Sequence, residues 1–214
     1  MKKQWVTMAA IAGALACFME FVIEFYAASE NAHYNSMLQS ISYLGNPISP
    51  TYHLIKIWNI IFAVLFVFFA FGFYNAFKKH NSIIKTAFIL LLIYGLAEGF
   101  GAGIFTMDAL KTQNTWSNLL HNVFSIVGDI AMVLFPIIMF YCFTKVERLF
   151  TLLISGGGII FIALFLLAKF EVISQIIDYK GLWQRIFQGF YYTYFLFIAY
   201  KISFYNKHKL NVTH

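Results

Sequence analysis

Long apolar stretches alternate with short polar ones along the whole chain. Six apolar blocks cover residues 5–27, 54–77, 82–105, 119–143, 149–168 and 182–204. Each supplies the roughly twenty residues an α-helix needs to cross a hydrocarbon core of about 30 Å. A backbone in lipid must satisfy its own polar groups, and a helix does so within one segment. The pattern predicts an all-α fold, a polytopic membrane bundle of six transmembrane helices forming one domain over residues 1–214.

The polar residues inside these blocks are few and in register. In the fourth block His121, Ser125 and Asp129 recur every fourth residue, which places them on one helix face. The first block carries Glu20 and Glu24 at the same spacing. Two readings stand for that pair: Glu24 reaches the head-group region and Glu20 alone is buried, or both are buried. The third block holds Glu98 in the run Glu98-Gly99-Phe100-Gly101-Ala102-Gly103, whose glycines let a neighbouring helix approach closely. Gly156-Gly157-Gly158 in the fifth reads as a packing or hinge feature, since no strand or lysine accompanies it as a phosphate loop would require. The sixth carries Arg185, Gln188 and Tyr192 on one face. Between the first two blocks lies a long polar loop containing His33 and the turn Ser42-Tyr43-Leu44-Gly45-Asn46-Pro47. A connector of that length reads as a lid or binding surface.

Composition narrows the class. With 61% hydrophobic and 11% charged residues, the chain has too little charge to cover a soluble domain. The net charge of +6 is no nucleic-acid signature, because the basic residues sit in or beside short loops, where they set topology. With the N-terminus inside, Lys2, Lys3, Lys78, Lys79, Lys85, Lys145, Arg148, Lys201, Lys207 and Lys209 are cytoplasmic. Lys56, Lys111, Lys169, Lys180 and Arg185 fall on the other side. Ten against five places both termini in the cytoplasm. Cys17 and Cys142 both lie in apolar blocks and read as small packed hydrophobes, not a metal cluster or a disulfide framework. The apolar run continues past Cys17, so the first block reads as an uncleaved span.

This orientation brings the polar residues to one level. Glu20, Glu98 and Asp129 each lie about 12 Å below the outer surface at 1.5 Å per helical residue. An acid at bilayer depth costs about 2.5–3.5 kcal/mol, so three facing lipid would cost on the order of 10 kcal/mol. They are expected to face inward around a polar chamber open to the extracytoplasmic side, roofed by the first loop. His121 and Asp108 form its rim, and Arg185 and Lys56 are the available cations.

Several motifs resemble a bacterial membrane family catalogued as domain of unknown function 998. Gly103-Ile104-Phe105-Thr106-Met107-Asp108, followed by Leu120-His121-Asn122, is similar to the family's Gly-x-Phe-Pro-x-Asp before a span opening with Leu-His. Ser42-Tyr43-Leu44-Gly45 is similar to its Ser-Asp-Leu-Gly, and Gly181-Leu182-Trp183-Gln184-Arg185 to its Gly-x-x-x-Arg. Asn59 matches an asparagine early in the second span. Thr106 replaces the proline, and Tyr43 removes a carboxylate from the outer loop. The resemblance implies a six-span, multi-pass protein of the bacterial inner membrane and supplies no reaction. Asp108, His121 and Arg185 are the positions that carry over.

Four functional readings fit these residues. The first is a site that binds or processes a lipid head group or small amphiphile. There Arg185 holds an anionic group, His121 with Asp108 positions it or acts as general base on water, and Asp129, Glu98, Glu20, Ser125 and Asn46 line the site. The second is a metal-dependent intramembrane hydrolase using Asp108, His121, His33 and His53, although no two histidines share a helix face. The third is a proton-coupled carrier with Glu20, Glu98 and Asp129 as relay. The fourth is an accessory subunit without a ligand. The favoured reading calls for no cofactor, metal or nucleic acid; its partners are the bilayer and a lipid or small amphiphile.

Overall fold

The structure, a computed structural model, describes residues 2–77, 82–107, 115–169 and 178–204. The candidate Asp108 and five of the topology-setting lysines (Lys78, Lys79, Lys111, Lys207 and Lys209) lie outside the described residues. Six α-helices account for most of the described chain: α1 (Lys2–Ser29), α2 (Tyr52–Phe77), α3 (Ser82–Gly95), α4 (Trp116–Met139), α5 (Lys145–Lys169) and α6 (Lys180–Phe204). No strand occurs among the described residues. A π-helical segment, Leu96–Ala102, continues α3, and 3-10 turns occupy Ile41–Gly45 and Phe140–Cys142.

Local chemistry sets the helix starts. The Thr115 side chain accepts the Asn118 amide at 3.2 Å and begins α4. Glu147 Oε2 accepts the Thr144 amide and hydroxyl, both at 2.9 Å, a capping box that begins α5. Before α2, Asn46 Oδ1 accepts the Ile48 amide at 3.0 Å across Pro47, and Thr51 Oγ1 donates to the Leu44 carbonyl at 3.1 Å. These bonds satisfy backbone groups that a turn leaves open.

Five of the helices are long and apolar enough to cross a membrane: α1, α2, α3 with its π-helical extension, α4 and α5. The chain is an integral membrane protein. α6 falls outside that criterion because Gln184, Arg185, Gln188 and four tyrosines (Tyr191, Tyr192, Tyr194, Tyr200) interrupt its apolar residues. It nevertheless packs against α1 and α5 and touches α2 and α4. Its Tyr191, Tyr194, Phe195 and Ile198 are completely or almost completely buried. α4 and α5 make the loosest contact of any two helices adjacent in the chain.

Small residues set the close approaches. A Cβ on Gly99 would run into the Ala63 side chain and come within 2.7 Å of the Asn59 carbonyl, so α3 meets α2 backbone to backbone there. Gly157 and Gly158 lie under the rings of Phe190 and Tyr191, which identifies the glycine run as a packing seam between α5 and α6. Gly156 faces open space.

Towards the termini end of the bundle the core is a lattice of aromatic rings. Phe66 meets Phe69, Tyr94 and Phe195 edge-on, with ring centroids 5.4, 5.0 and 5.0 Å away. Phe73, Phe77 and Phe135 extend it, all fully buried. The ion pair between Lys201 and Glu147 ties α6 to α5 at that end.

Candidate functional site

The end of the bundle bearing the α1–α2 loop holds a cavity of about 640 Å³. Every helix contributes a polar side chain to its wall: Glu20 and Glu24 from α1, Asn59 from α2, Glu98 from the π-helical segment, His121, Ser125 and Asp129 from α4, Lys169 from α5 and Gln188 from α6. Phe62, Tyr94, Tyr192 and Met132 also line it. Below it the aromatic lattice begins.

The first loop forms the roof, with residues 38–43 and Gly45 facing the cavity. Its 3-10 turn is anchored by Leu44, which is fully buried against Ala27 and Ile55. α6 pins the roof on one side. Gln184 Oε1 accepts the Ile41 amide at 2.9 Å, and the Leu182 amide donates to the Met37 carbonyl at 3.1 Å. Gly181 lies so close to the Ser36 and Gln39 carbonyls that no side chain fits between them. α4 pins it on the other side, where His121 Nε2 and Ser42 Oγ are 3.1 Å apart.

His121 is 7% exposed and closes the C-terminal end of the helix that α3 and its π-helical segment form. Its Nδ1 lies 2.9 Å from the Phe105 carbonyl and 3.2 Å from that of Ala102. The last carbonyls of a helix have no partner within it, and an imidazole N–H supplies one here. Two carbonyls at Nδ1 assign the hydrogen to that nitrogen in the neutral ring, which leaves a lone pair on Nε2 toward Ser42.

The carboxylates sit side by side. Gly128 makes room for Glu98, whose Oε1 would lie only 2.7 Å from a Cβ there, beside Asp129 on the same helix. Lys169, half-buried at the end of α5, interacts electrostatically with both acids. Trp58 Nε1 donates to Glu20 Oε2 at 2.6 Å. Glu24 is 1% exposed, accepts from Gln188 Nε2 at 2.9 Å and lies 3.8 Å from Arg185 Nε. The head-group reading of Glu24 is therefore corrected: α6 packs over that face of α1 and buries Glu24, while Glu20 is half-buried on the cavity wall beside Trp58 of α2. Gln188 Nε2 also donates to Tyr192 Oη at 3.1 Å, and Tyr94 donates to the same oxygen at 2.9 Å. Glu24 Oε2 and Gln188 Oε1 are buried acceptors without a hydrogen-bond donor.

Of the residues the sequence singles out, His121, Ser125, Asp129, Glu98 and Glu20 share the cavity wall. Arg185 does not line it. Its guanidinium is consumed by the Ser36 carbonyl at 2.9 Å, the Gly181 carbonyl at 3.1 Å and Tyr34 Oη at 2.8 Å, besides Glu24. It binds the roof to α6 and is not free for an anionic ligand. Burial raises the Tyr34 phenol above its usual pKa against the opposing pull of Arg185, so Tyr34 remains a donor, to the Gln39 carbonyl at 3.0 Å. Asn46 is also placed off the cavity, its side chain spent on the turn before α2. His33 and His53 are exposed and do not line the cavity. Among the described residues no three His, Cys, Asp or Glu side chains are grouped to hold a metal ion.

Sequence reasoning missed Lys169, Gln188 and Ser42. Lys169 reads as a loop residue from its place after an apolar run, yet α5 extends to include it. Gln188 carried a signal, since it shares a face with Arg185 and Tyr192. Ser42 stood in a turn and in the family-like Ser42-Tyr43-Leu44-Gly45, neither of which pointed to His121.

A family model described as a protein of unknown function (DUF998) matches residues 11–200. No significant match to a curated protein or to a solved structure was found.

Proposed function

The chain belongs to the DUF998 family of unknown function, and on that footing we propose that its roofed cavity binds the polar head of a membrane amphiphile at the extracytoplasmic face. In this reading all six helices cross the bilayer and both termini are cytoplasmic. The basic-residue asymmetry between the two ends supports that orientation. The packing of α6 supports a sixth crossing, since its Gln188, Tyr191, Tyr192 and Tyr194 are buried against other helices and only a stripe that includes Leu196, Tyr200 and Phe204 is exposed.

The observation that carries the reading is the convergence of polar side chains from six helices on one cavity, between a folded roof and a sealed aromatic core. Ionisable groups held at membrane depth are expensive and are retained at sites that use them. The wall favours a head rich in hydrogen-bond donors. Its acids Glu20, Glu24, Glu98, Asp129 and Asp178 outnumber Lys56, Lys169 and Lys180. The buried Gln188 Oε1, an acceptor without a donor, points the same way. An anionic head matches poorly, because Arg185 is already committed. The loose seam between α4 and α5, near Phe165, Ala168 and Lys169 on the wall, gives an acyl tail a lateral way out.

The other readings have less support. A carrier needs a polar path to the opposite face, and the buried rings of Phe66, Phe69, Phe73 and Phe135 obstruct it. A metal hydrolase loses His33 and His53 as ligands. An accessory role leaves the cavity unexplained.

Mass spectrometry of the detergent-purified protein tests the proposal. The expected outcome is one enriched amphiphile at near-stoichiometric level, lost in Ser125→Trp, which puts an indole into the cavity beside Asp129 and His121. A wild-type protein carrying only bulk lipid in bulk proportions overturns it.

A further inference from the structure

His121 and Ser42 have a geometry that binding alone does not require. We propose that Ser42 is a nucleophile and His121 its general base, and that the amphiphile held in the cavity is an acyl ester which the pair cleaves. This inference rests on the cavity reading above and adds a reaction to it.

Three features of the site support it. First, Ser42 Oγ lies 3.1 Å from His121 Nε2, within the reach that lets a base take a hydroxyl proton. Second, the base is oriented by a third group. The Phe105 and Ala102 carbonyls at 2.9 and 3.2 Å hold the hydrogen on Nδ1, so the nitrogen facing Ser42 is the basic one. These carbonyls end a helix, where the backbone presents partial negative charge, and that charge stabilises the imidazolium formed when His121 accepts a proton. Third, both residues line the cavity, and Ser42 is half-buried.

The support around the pair is stiff. Ser42 sits on the 3-10 turn Ile41–Gly45, fixed by the buried Leu44, by Gln184 at the Ile41 amide and by Thr51 at the Leu44 carbonyl. A nucleophile on a fixed turn, with its base on a separate helix, meets the positional demand of attack on a bound carbonyl. A hydrogen bond that merely latched a roof would not need the basic nitrogen of an oriented imidazole, nor an opening onto a cavity.

The step balances with water as the second reactant. Ser42 Oγ bonds to the ester carbonyl carbon while its proton passes to His121 Nε2. The tetrahedral intermediate collapses, the bond to the alcohol oxygen breaks, and His121 returns the proton to that oxygen. Water then attacks the acyl-serine with His121 again taking the proton, which releases the acid and restores Ser42.

The test is covalent labelling of the full-length protein in detergent micelles with a long-chain alkyl fluorophosphonate, followed by peptide mapping. The expected result is a phosphonyl adduct on Ser42, at least tenfold slower to form in His121→Gln and absent in Ser42→Ala. Ser40 and Ser49, both buried in the same loop, stay unlabelled. Ser42→Cys guards against a folding artefact. Its thiol is expected to react with a long-chain alkyl iodoacetamide faster than the buried Cys17 and Cys142, and to slow when His121 is also replaced by Gln. A wild-type protein that keeps its co-purifying amphiphile but gains no adduct on Ser42 overturns the nucleophile and leaves the cavity reading standing. Labelling as fast in His121→Gln as in wild type overturns the base. Loss of amphiphile enrichment in the wild type is the separate result that removes the cavity reading itself.

Discussion

Arg185 shows how a single side chain is committed by its surroundings. A charge near the start of an apolar helix invites an anionic ligand, but here the guanidinium already holds two carbonyls, a phenol and a carboxylate. Its planar fork serves several acceptors at once, which a lysine ammonium on a flexible stem cannot reproduce. Arg185→Ala is expected to lower stability by on the order of 3 kcal/mol, because it strands a buried Glu24. Arg185→Lys should recover only a minority of that loss. Thermal unfolding in detergent measures both, and protease cleavage within residues 30–45 should rise in parallel as the roof detaches. Equal stability of Arg185→Ala and wild type would show that the clamp contributes nothing. Ser125 and Asp129 illustrate the opposite case: their spacing from His121 alone placed them on the cavity face, because i and i+4 neighbours share a face in any α-helix.

Helices and seams carry a second layer of information. The glycine run in α5 separates into positions with different roles: Gly158 lies beneath the Tyr191 ring and Gly156 meets open space. Gly158→Ala should destabilise by about 1–3 kcal/mol through overpacking against a rigid ring. Gly156→Ala should be neutral or stabilise by up to about 1 kcal/mol, because alanine loses less backbone entropy in a helix. Paired melts of the two variants check this, and equal shifts would contradict the seam. The π-helical turn at Leu96–Ala102 was not legible beforehand. Glycine density announced close packing, but the wider turn follows from where α2 and α4 press on it, through Ala63, Asn59 and Phe124. Lys169 was misplaced for a related reason: helix ends in an apolar run depend on what the last turn packs against, and hydropathy does not record that.

Across the whole molecule, the orientation is open to a direct measurement. His53 and Val146 are both exposed and lie at opposite ends of the bundle. In intact cells, His53→Cys should react with a membrane-impermeant maleimide, and Val146→Cys should react only after permeabilisation. The reverse pattern would invert the proposed topology and turn the cavity toward the cytoplasm. The apolar blocks and the faces of their polar residues could be read from residue order, because helical periodicity relates positions within a turn or two of one another. The meeting of Ser42 with His121 across 79 residues, the burial of Glu24 under α6 and the arrival of Lys169 beside Asp129 could not. Those contacts depend on how far each helix rotates and slides against its neighbours and on how the first loop folds back over them. Such quantities arise from packing many distant residues together, and no stretch of the chain encodes them alone.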